Sequence, residues 1–171
     1  MKQEALSRWT SENSAELYGI RNWGAGYFDV SEKGELLVRP QGNGSKDSVS
    51  MMDIVDGLRA RGIGMPVLLR FGDILASRIA AINGSFRKAI QEANYTGRFR
   101  GVYPIKVNQQ QQVIEDIVAC GRTFNHGLEC GSKAELITAL AYCSNPEALI
   151  VCNGYKVWPC TPSKCACRPS W

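Results

Sequence analysis

The sequence is poor in histidine and has no long apolar run. His126 is its one histidine. No stretch of about 18 uncharged apolar residues occurs, which excludes a membrane-spanning helix. The first residues do not form an apolar segment followed by small residues, so they do not indicate a secretion signal. We therefore expect a cytoplasmic protein with no membrane partner.

Glycine-rich phosphate loops are missing as well. The glycines between Gly19 and Gly26 do not form a dinucleotide-binding pattern, and Gly42 does not begin a P-loop. The formal net charge is only +4, and the basic residues are scattered rather than gathered into a patch. The segment 98–100, Arg-Phe-Arg, comes nearest to one, and we interpret it as a solvated approach to a strand. We expect no nucleic-acid partner.

Enough apolar residues are present for a core, because hydrophobic residues make up 44% of the 171 positions. Asn13 and Glu16 have the spacing of a capping box and predict a helix over about 10–20. Two apolar runs, 26–30 and 35–39, predict a β-hairpin. The turn-forming residues 40–48 predict a linker or mobile loop.

From residue 49 onward, predicted helices alternate with apolar strands. The helices are 51–61, 73–93, 111–120 and 133–143, and the strands are 66–71, 100–107, 123–128 and 148–152. Strands that are apolar on both faces are typical of a parallel sheet covered by helices, either doubly wound or a (β/α)8 barrel. A whole barrel needs about 250 residues, so the chain supplies about half of one. The predicted segments are 1–48, 49–156 and 157–171.

The last segment differs in composition from the rest, since it holds Cys160, Cys165 and Cys167 among prolines and tryptophans. We interpret it as foreign to the preceding domain, as a frameshifted or mispredicted end would be. The other four cysteines lie singly in apolar segments, where a reduced thiol behaves as a small buried hydrophobe; they are Cys120, Cys130, Cys143 and Cys152. An odd total of seven favours a reducing compartment.

Metal-ligand spacing is poor throughout. His126 and Cys130 would lie roughly 13 Å apart in an extended strand, too far to share one ion. The cysteines of the last segment lack the paired CxxC spacing of structural zinc sites. We assign no metal-binding residue and interpret His126 as a polar residue at a strand end.

Lys106 is the residue whose position best suits chemistry. It ends an apolar strand directly before a helix, and the carboxyl ends of strands carry the active sites of alternating α/β folds. A lysine in apolar surroundings loses hydration, which lowers its pKa and frees the neutral amine for a Schiff base. The alternative is a lysine that extends from the strand end into solvent. The strand pattern alone leaves both open.

Several motifs resemble the group IV pyridoxal-phosphate decarboxylases. Residues 103–108, Tyr-Pro-Ile-Lys-Val-Asn, resemble the cofactor-attachment signature, and residues 127–136 and 152–156 resemble the following strand ends. Residues 18–30 and 66–71 resemble the biosynthetic arginine decarboxylase branch of the family. The resemblance covers roughly residues 8–156. It implies an alanine-racemase-like (β/α)8 barrel, here preceded by a β-hairpin segment and truncated after about four strands.

The resemblance also implies an activity and a site. Lys106 would hold pyridoxal phosphate as a Schiff base, and Glu129 and Ser132 would lie near this cofactor. Glu129 stands where ornithine decarboxylases have a shorter aspartate. Glu135 could belong to the site or could equally be a solvated helix residue. The reaction would convert L-arginine into agmatine for polyamine biosynthesis, in a homo-oligomer that also uses Mg²⁺. The rest of the barrel and the β domain are missing, so we expect the chain itself to be inactive.

Two alternatives remain open. One is a non-enzymatic module that binds pyridoxal phosphate, or a metal through its last segment. The other is a decarboxylase of the same family that acts on another basic amino acid. In every case, a four-stranded part of a barrel leaves an open edge and an uncovered apolar face. We therefore expect poor solubility or association.

Overall fold

The computed structural model describes residues 8–43 and 46–154. The chain divides between Arg78 and Ile79 into two compact units, each with its own three-stranded sheet. The segment 157–171 lies outside the described residues, as do the last two residues of the 152–156 motif. The segment boundaries predicted at 48 and 156 stay predictions.

Two short helices open the first unit, α1 (Ser11–Leu17) and α2 (Ile20–Gly24). Gly19 separates them in a left-handed conformation at φ 59°, which glycine adopts without the penalty of a Cβ. The prediction of a single helix over 10–20 is therefore wrong, because the helix breaks at Gly19. The capping box is also displaced, because Thr10 is the cap and Asn13 is its partner three residues later.

The predicted hairpin is present and carries a third strand. Strand β1 (Phe28–Val30) pairs antiparallel with β2 (Leu36–Val38), which pairs antiparallel with β3 (Val49–Ser50). The two-residue β3 was not predicted. Ser50 then caps helix α3 (Met51–Ala60), because its hydroxyl oxygen accepts the Met52 N–H at 3.1 Å. Strand β3 and helix α3 are thus joined without a loop.

The predicted strand 66–71 is wrong. These residues pair with no strand in the described ranges 8–43 and 46–154, and Leu68 is 74% exposed. An apolar run becomes a strand only where another strand accepts and donates its backbone hydrogen bonds. Helix α4 (Gly72–Glu92) follows directly and agrees with the predicted 73–93.

The second unit contains the expected parallel sheet, with three strands in the order β4 (Val102–Pro104), β5 (Gly127–Cys130) and β6 (Ile150–Cys152). Helices α5 (Gln111–Gly121) and α6 (Lys133–Tyr142) connect them. Two 3₁₀ turns, Ile105–Val107 and Arg122–Phe124, shorten the predicted strand 100–107 and displace the predicted strand 123–128. The βαβαβ pattern is confirmed with three strands in place of four.

The core of this unit lies between the sheet and its two connecting helices. Its fully buried members are Ile105, Ile114, Leu128, Cys130 and Ala139, with Leu136 almost so. Successive side chains of a strand point to opposite faces. Because Leu128 and Cys130 face the helices, Glu129 points to the other face of the sheet.

Burial of the four described cysteines follows this arrangement. Cys130 is buried and Cys120 and Cys143 are half-buried, whereas Cys152 on β6 is exposed. The prediction that all four are buried is wrong for Cys152, because its strand lies at the edge of the sheet. Within the described ranges, no helix is both long and apolar enough to cross a membrane.

Candidate functional site

The parallel register brings three strand ends to one edge of the sheet. Pro104 of β4 pairs with Glu129 of β5, which pairs with Val151 of β6. Lys106 follows the last residue of β4 by two positions, and Ser132 follows the last residue of β5 by two. Lys106, Glu129 and Ser132 therefore lie at the carboxyl edge, where α/β folds place their sites.

Lys106 sits in the middle of the 3₁₀ turn Ile105–Val107. Ile105 is 1% exposed and fixes the turn against the core, whereas Lys106 itself is exposed. Just beyond the turn, the Tyr103 hydroxyl donates to the backbone carbonyl of Asn108 at 3.4 Å. The buried Ile105 and the Tyr103–Asn108 hydrogen bond thus fix the two sides of the turn, and the Lys106 side chain is exposed. Apolar burial of its amine, one of the two options from the sequence, is not observed.

Glu129 is buried beside this turn, with 7% of its surface exposed. Its Oε1 is buried and has no hydrogen-bond partner among the described residues. A buried carboxylate oxygen without a donor costs free energy, so native proteins nearly always give it one. The position of Glu129 therefore suits a donor that belongs to a bound molecule or to a further part of the protein.

Ser132 and Glu135 organise the turn after β5. Ser132 is the N-cap of α6, and its hydroxyl oxygen accepts the Glu135 N–H at 3.2 Å. The Glu135 carboxylate in turn accepts the Gly131 N–H at 2.6 Å. Glu135 is therefore a structural part of the turn rather than only a solvated helix residue. The Ser-x-x-Glu spacing carries this signal, which sequence reasoning did not use.

The next strand end is tied to the same turn. The Asn153 N–H donates to the Cys130 carbonyl at 2.9 Å. Sequence reasoning included Asn153 only as part of a resembling motif and gave it no role. Its hydrogen bond depends on the β5–β6 register, which the sequence does not specify.

His126 lies at the opposite end of β5 and does not join the site. Its imidazole packs against two glycines, since a Cβ on Gly101 would lie 2.5 Å from Nδ1 and one on Gly121 2.6 Å from the His126 Cβ. Nδ1 is buried without a partner among the described residues, and burial lowers the pKa of His126 below its ordinary 6.5. Across residues 8–43 and 46–154, no three His, Cys, Asp or Glu side chains cluster as metal ligands.

Comparison with known families finds a match for the part of the chain that contains the candidate site. Residues 79–158 match the family described as pyridoxal-dependent decarboxylase, pyridoxal binding domain. This segment is similar to that family, as the motifs around Lys106 predicted. It contains all three strands of the parallel sheet and every predicted site residue.

The particular proteins that the chain resembles are biosynthetic arginine decarboxylases. That of Gloeobacter violaceus is 51% identical over 151 residues, which cover 88% of this chain and 23% of the relative. That of Parasynechococcus marenigrum is 47% identical over 148 residues, or 86% of this chain and 23% of the relative. The resemblance predicted from the sequence is confirmed.

A solved structure shows the same fold. The crystal structure of the biosynthetic arginine decarboxylase of Campylobacter jejuni superposes with a TM-score of 0.73 at 39% identity, over 82% of this chain and 23% of that one. The fold class, a partial pyridoxal-phosphate-binding barrel, is therefore confirmed. The chain spans about a quarter of the length of the relatives that it matches.

Proposed function

We propose that the chain is the amino-terminal, cofactor-attaching part of an enzyme that decarboxylates L-arginine to agmatine. The observation that carries this proposal is the position of Lys106. Its amine is exposed at the carboxyl edge of a parallel sheet, within a segment of the pyridoxal-binding domain family. The arginine decarboxylase relatives supply the substrate class.

The residues at this edge fit pyridoxal phosphate. Lys106 supplies a solvent-accessible amine, and Glu129 supplies a buried oxygen without a donor in the described part of the chain. Lys106 would hold the cofactor covalently, with Glu129 and Ser132 beside it. When bound, pyridoxal phosphate supplies an electron sink that makes loss of carbon dioxide from an amino acid feasible.

The protein's own contribution is to fix these groups. The buried Ile105 anchors the turn that carries Lys106, so the backbone position from which the Lys106 side chain extends is fixed. Glu135 and Ser132 hold the β5–α6 turn through hydrogen bonds to Gly131 and to the helix start. Glu129 lies on the strand between these two turns and offers its Oε1 as an acceptor.

Mg²⁺ as a second cofactor and assembly into a homo-oligomer rest on the family alone, and no residue of this chain is assigned to either. The cytoplasm as location is supported by the odd number of cysteines, seven in all. Because the chain corresponds to 23% of its relatives, we expect the 171 residues alone to release no carbon dioxide from arginine.

A chimera tests the function directly. Residues 8–154 would replace the matching part of the Campylobacter jejuni enzyme, and carbon dioxide release from carboxyl-labelled L-arginine would be measured. We expect activity in the chimera, loss of it in Lys106→Ala, and retention in Lys133→Ala, a matched lysine at the start of α6. A Lys106→Ala chimera that keeps the activity, or a folded parent chimera that prefers another amino acid, would overturn the proposal.

A further inference from the structure

Two thiols meet across neighbouring strands on the helix-facing side of the parallel sheet. Cys130 of β5 and Cys152 of β6 are register partners. Their Sγ atoms lie 3.7 Å apart. Because they are register partners, both side chains leave the same face of the sheet, opposite to the face of Glu129. The pair is therefore separate from the proposed cofactor contacts and does not depend on them.

The backbone spacing suits a covalent link. Neighbouring strands lie about 4.8 Å apart, and disulfides span Cα separations of about 4.4 to 6.8 Å. The link would need the two sulfurs to approach one another by side-chain rotation, with the strands remaining paired. In a parallel sheet, only register partners combine this Cα separation with side chains on a common face.

The two thiols differ in access, and this difference gives each a role. Cys152 is exposed at the edge strand, whereas Cys130 is completely buried in the core with Leu128 and Ile114. An oxidant in solution therefore meets Cys152 first. Cys130 lies in position to react with the oxidised sulfur from inside.

We propose that Cys130 and Cys152 form a peroxide-oxidised thiol pair that closes to an intrachain disulfide. The Cys152 thiolate attacks hydrogen peroxide, so that an S–O bond forms, the O–O bond breaks and hydroxide leaves as water. The Cys130 sulfur then attacks the Cys152 sulfur, forming the S–S bond and expelling the oxygen as a second water. Two thiols lose two electrons in total, and one peroxide gains them.

Cys143 provides a matched comparison. It is half-buried, and burial raises the pKa of its thiol, against a smaller opposite effect of a backbone hydrogen bond with Asn145. A raised pKa leaves less of the reactive thiolate at neutral pH. Cys143 also lies in the same tryptic peptide as Cys152, so its substitution tests which of the two sulfurs is bonded.

Peptide mapping of the full chain tests the proposal. The chain would be treated with one equivalent of hydrogen peroxide, blocked with N-ethylmaleimide and digested with trypsin. We expect the peptide 123–133 joined to 134–156, unchanged in Cys143→Ser and absent in Cys152→Ser. The other cysteines near the end fall in the peptides 157–164 and 165–171, whose links have different masses.

A second variant keeps the test decisive. In Cys130→Ser, Cys152 should accumulate as a sulfenic acid that dimedone labels, because the buried partner no longer resolves it. Circular dichroism of this variant confirms that its fold is retained. A link that Cys143→Ser abolishes, a link from 123–133 to either of the later peptides, or no link after peroxide treatment would overturn the proposal.

Discussion

Pro104 and Glu129 stand side by side in the parallel register of β4 and β5. This pairing sets the acid of one strand next to the residue from which the Lys106 turn departs. The two chemical groups of the candidate site thus derive from one strand pair, although they are far apart in the sequence. The buried Oε1 of Glu129, which has no partner among the described residues, is then a property of the site rather than of the core.

Glu129 should lower the free energy of unfolding of the chain when no cofactor is bound. Replacing it by leucine removes a buried oxygen that has no donor within residues 8–43 and 46–154. Glu129→Leu should therefore raise the free energy of unfolding by about 1–3 kcal/mol. The same change should lower the amount of pyridoxal phosphate that the chain binds. Urea titration and cofactor binding measure the two effects.

The control for these two effects of Glu129→Leu, on stability and on cofactor binding, is the substitution of an exposed acid. Asp116→Leu on the solvent side of α5 should change the free energy of unfolding by less than about 0.5 kcal/mol. If Glu129→Leu destabilises the chain by more than this and leaves cofactor binding intact, Glu129 is a structural residue and our assignment is wrong.

Gly127 should tolerate no side chain. A Cβ built there would overlap the backbone carbonyl of Leu149, where β5 and β6 approach. Gly127→Ala must therefore separate the strands, and we expect a loss of about 3 kcal/mol or more in the free energy of unfolding. Gly84→Ala is the matched change, since space is open at that helix position, and it should stabilise the chain by about 0.5–1 kcal/mol. Equal effects of the two substitutions in denaturant titrations would refute this account of the strand contact.

His126 should make stability depend on pH near neutrality. Burial lowers its pKa in the folded chain below the ordinary 6.5, so the unfolded chain binds the proton first as the pH falls. The contribution of His126 is therefore fully present above about pH 6.5 and is lost as the pH drops through the lowered pKa. Unfolding titrations between about pH 8 and about pH 5.5, above the range of ordinary carboxylates, measure this.

Because His126 is the one histidine of the chain, its contribution to the pH dependence is readily isolated. His126→Phe keeps an aromatic ring against Gly101 and Gly121 and should flatten the pH dependence in this range. A slope that survives the substitution would assign the effect to another group.

The sequence predicted the βαβαβ order well, because it depends on local periodicity. The apolar stripe of α5 and the glycine at its end are visible without a structure. The run 66–71 shows the limit of the method, since its composition suits a buried strand but no strand of the described residues pairs with it. Pairing is a non-local property, and composition does not reveal whether a partner exists.

The site was predictable in part for the same reason. Lys106 stands out through its position after an apolar strand and before a helix, whereas Ser132 was predicted only from the family resemblance. The burial of Glu129 and the meeting of Cys130 with Cys152 follow from the register of β5 with its neighbours. Register between parallel strands joined by helices depends on packing over the whole unit, which no short motif encodes.

The central claim is that Lys106 is the residue that attaches pyridoxal phosphate. The most direct measurement is to mix the chain with the cofactor, reduce with borohydride and locate the phosphopyridoxyl group by peptide mapping. We predict that the label concentrates on Lys106, disappears from that peptide in Lys106→Arg, and is unchanged in Lys133→Arg. Label spread evenly over the exposed lysines, or an undiminished total in Lys106→Arg, would contradict the account.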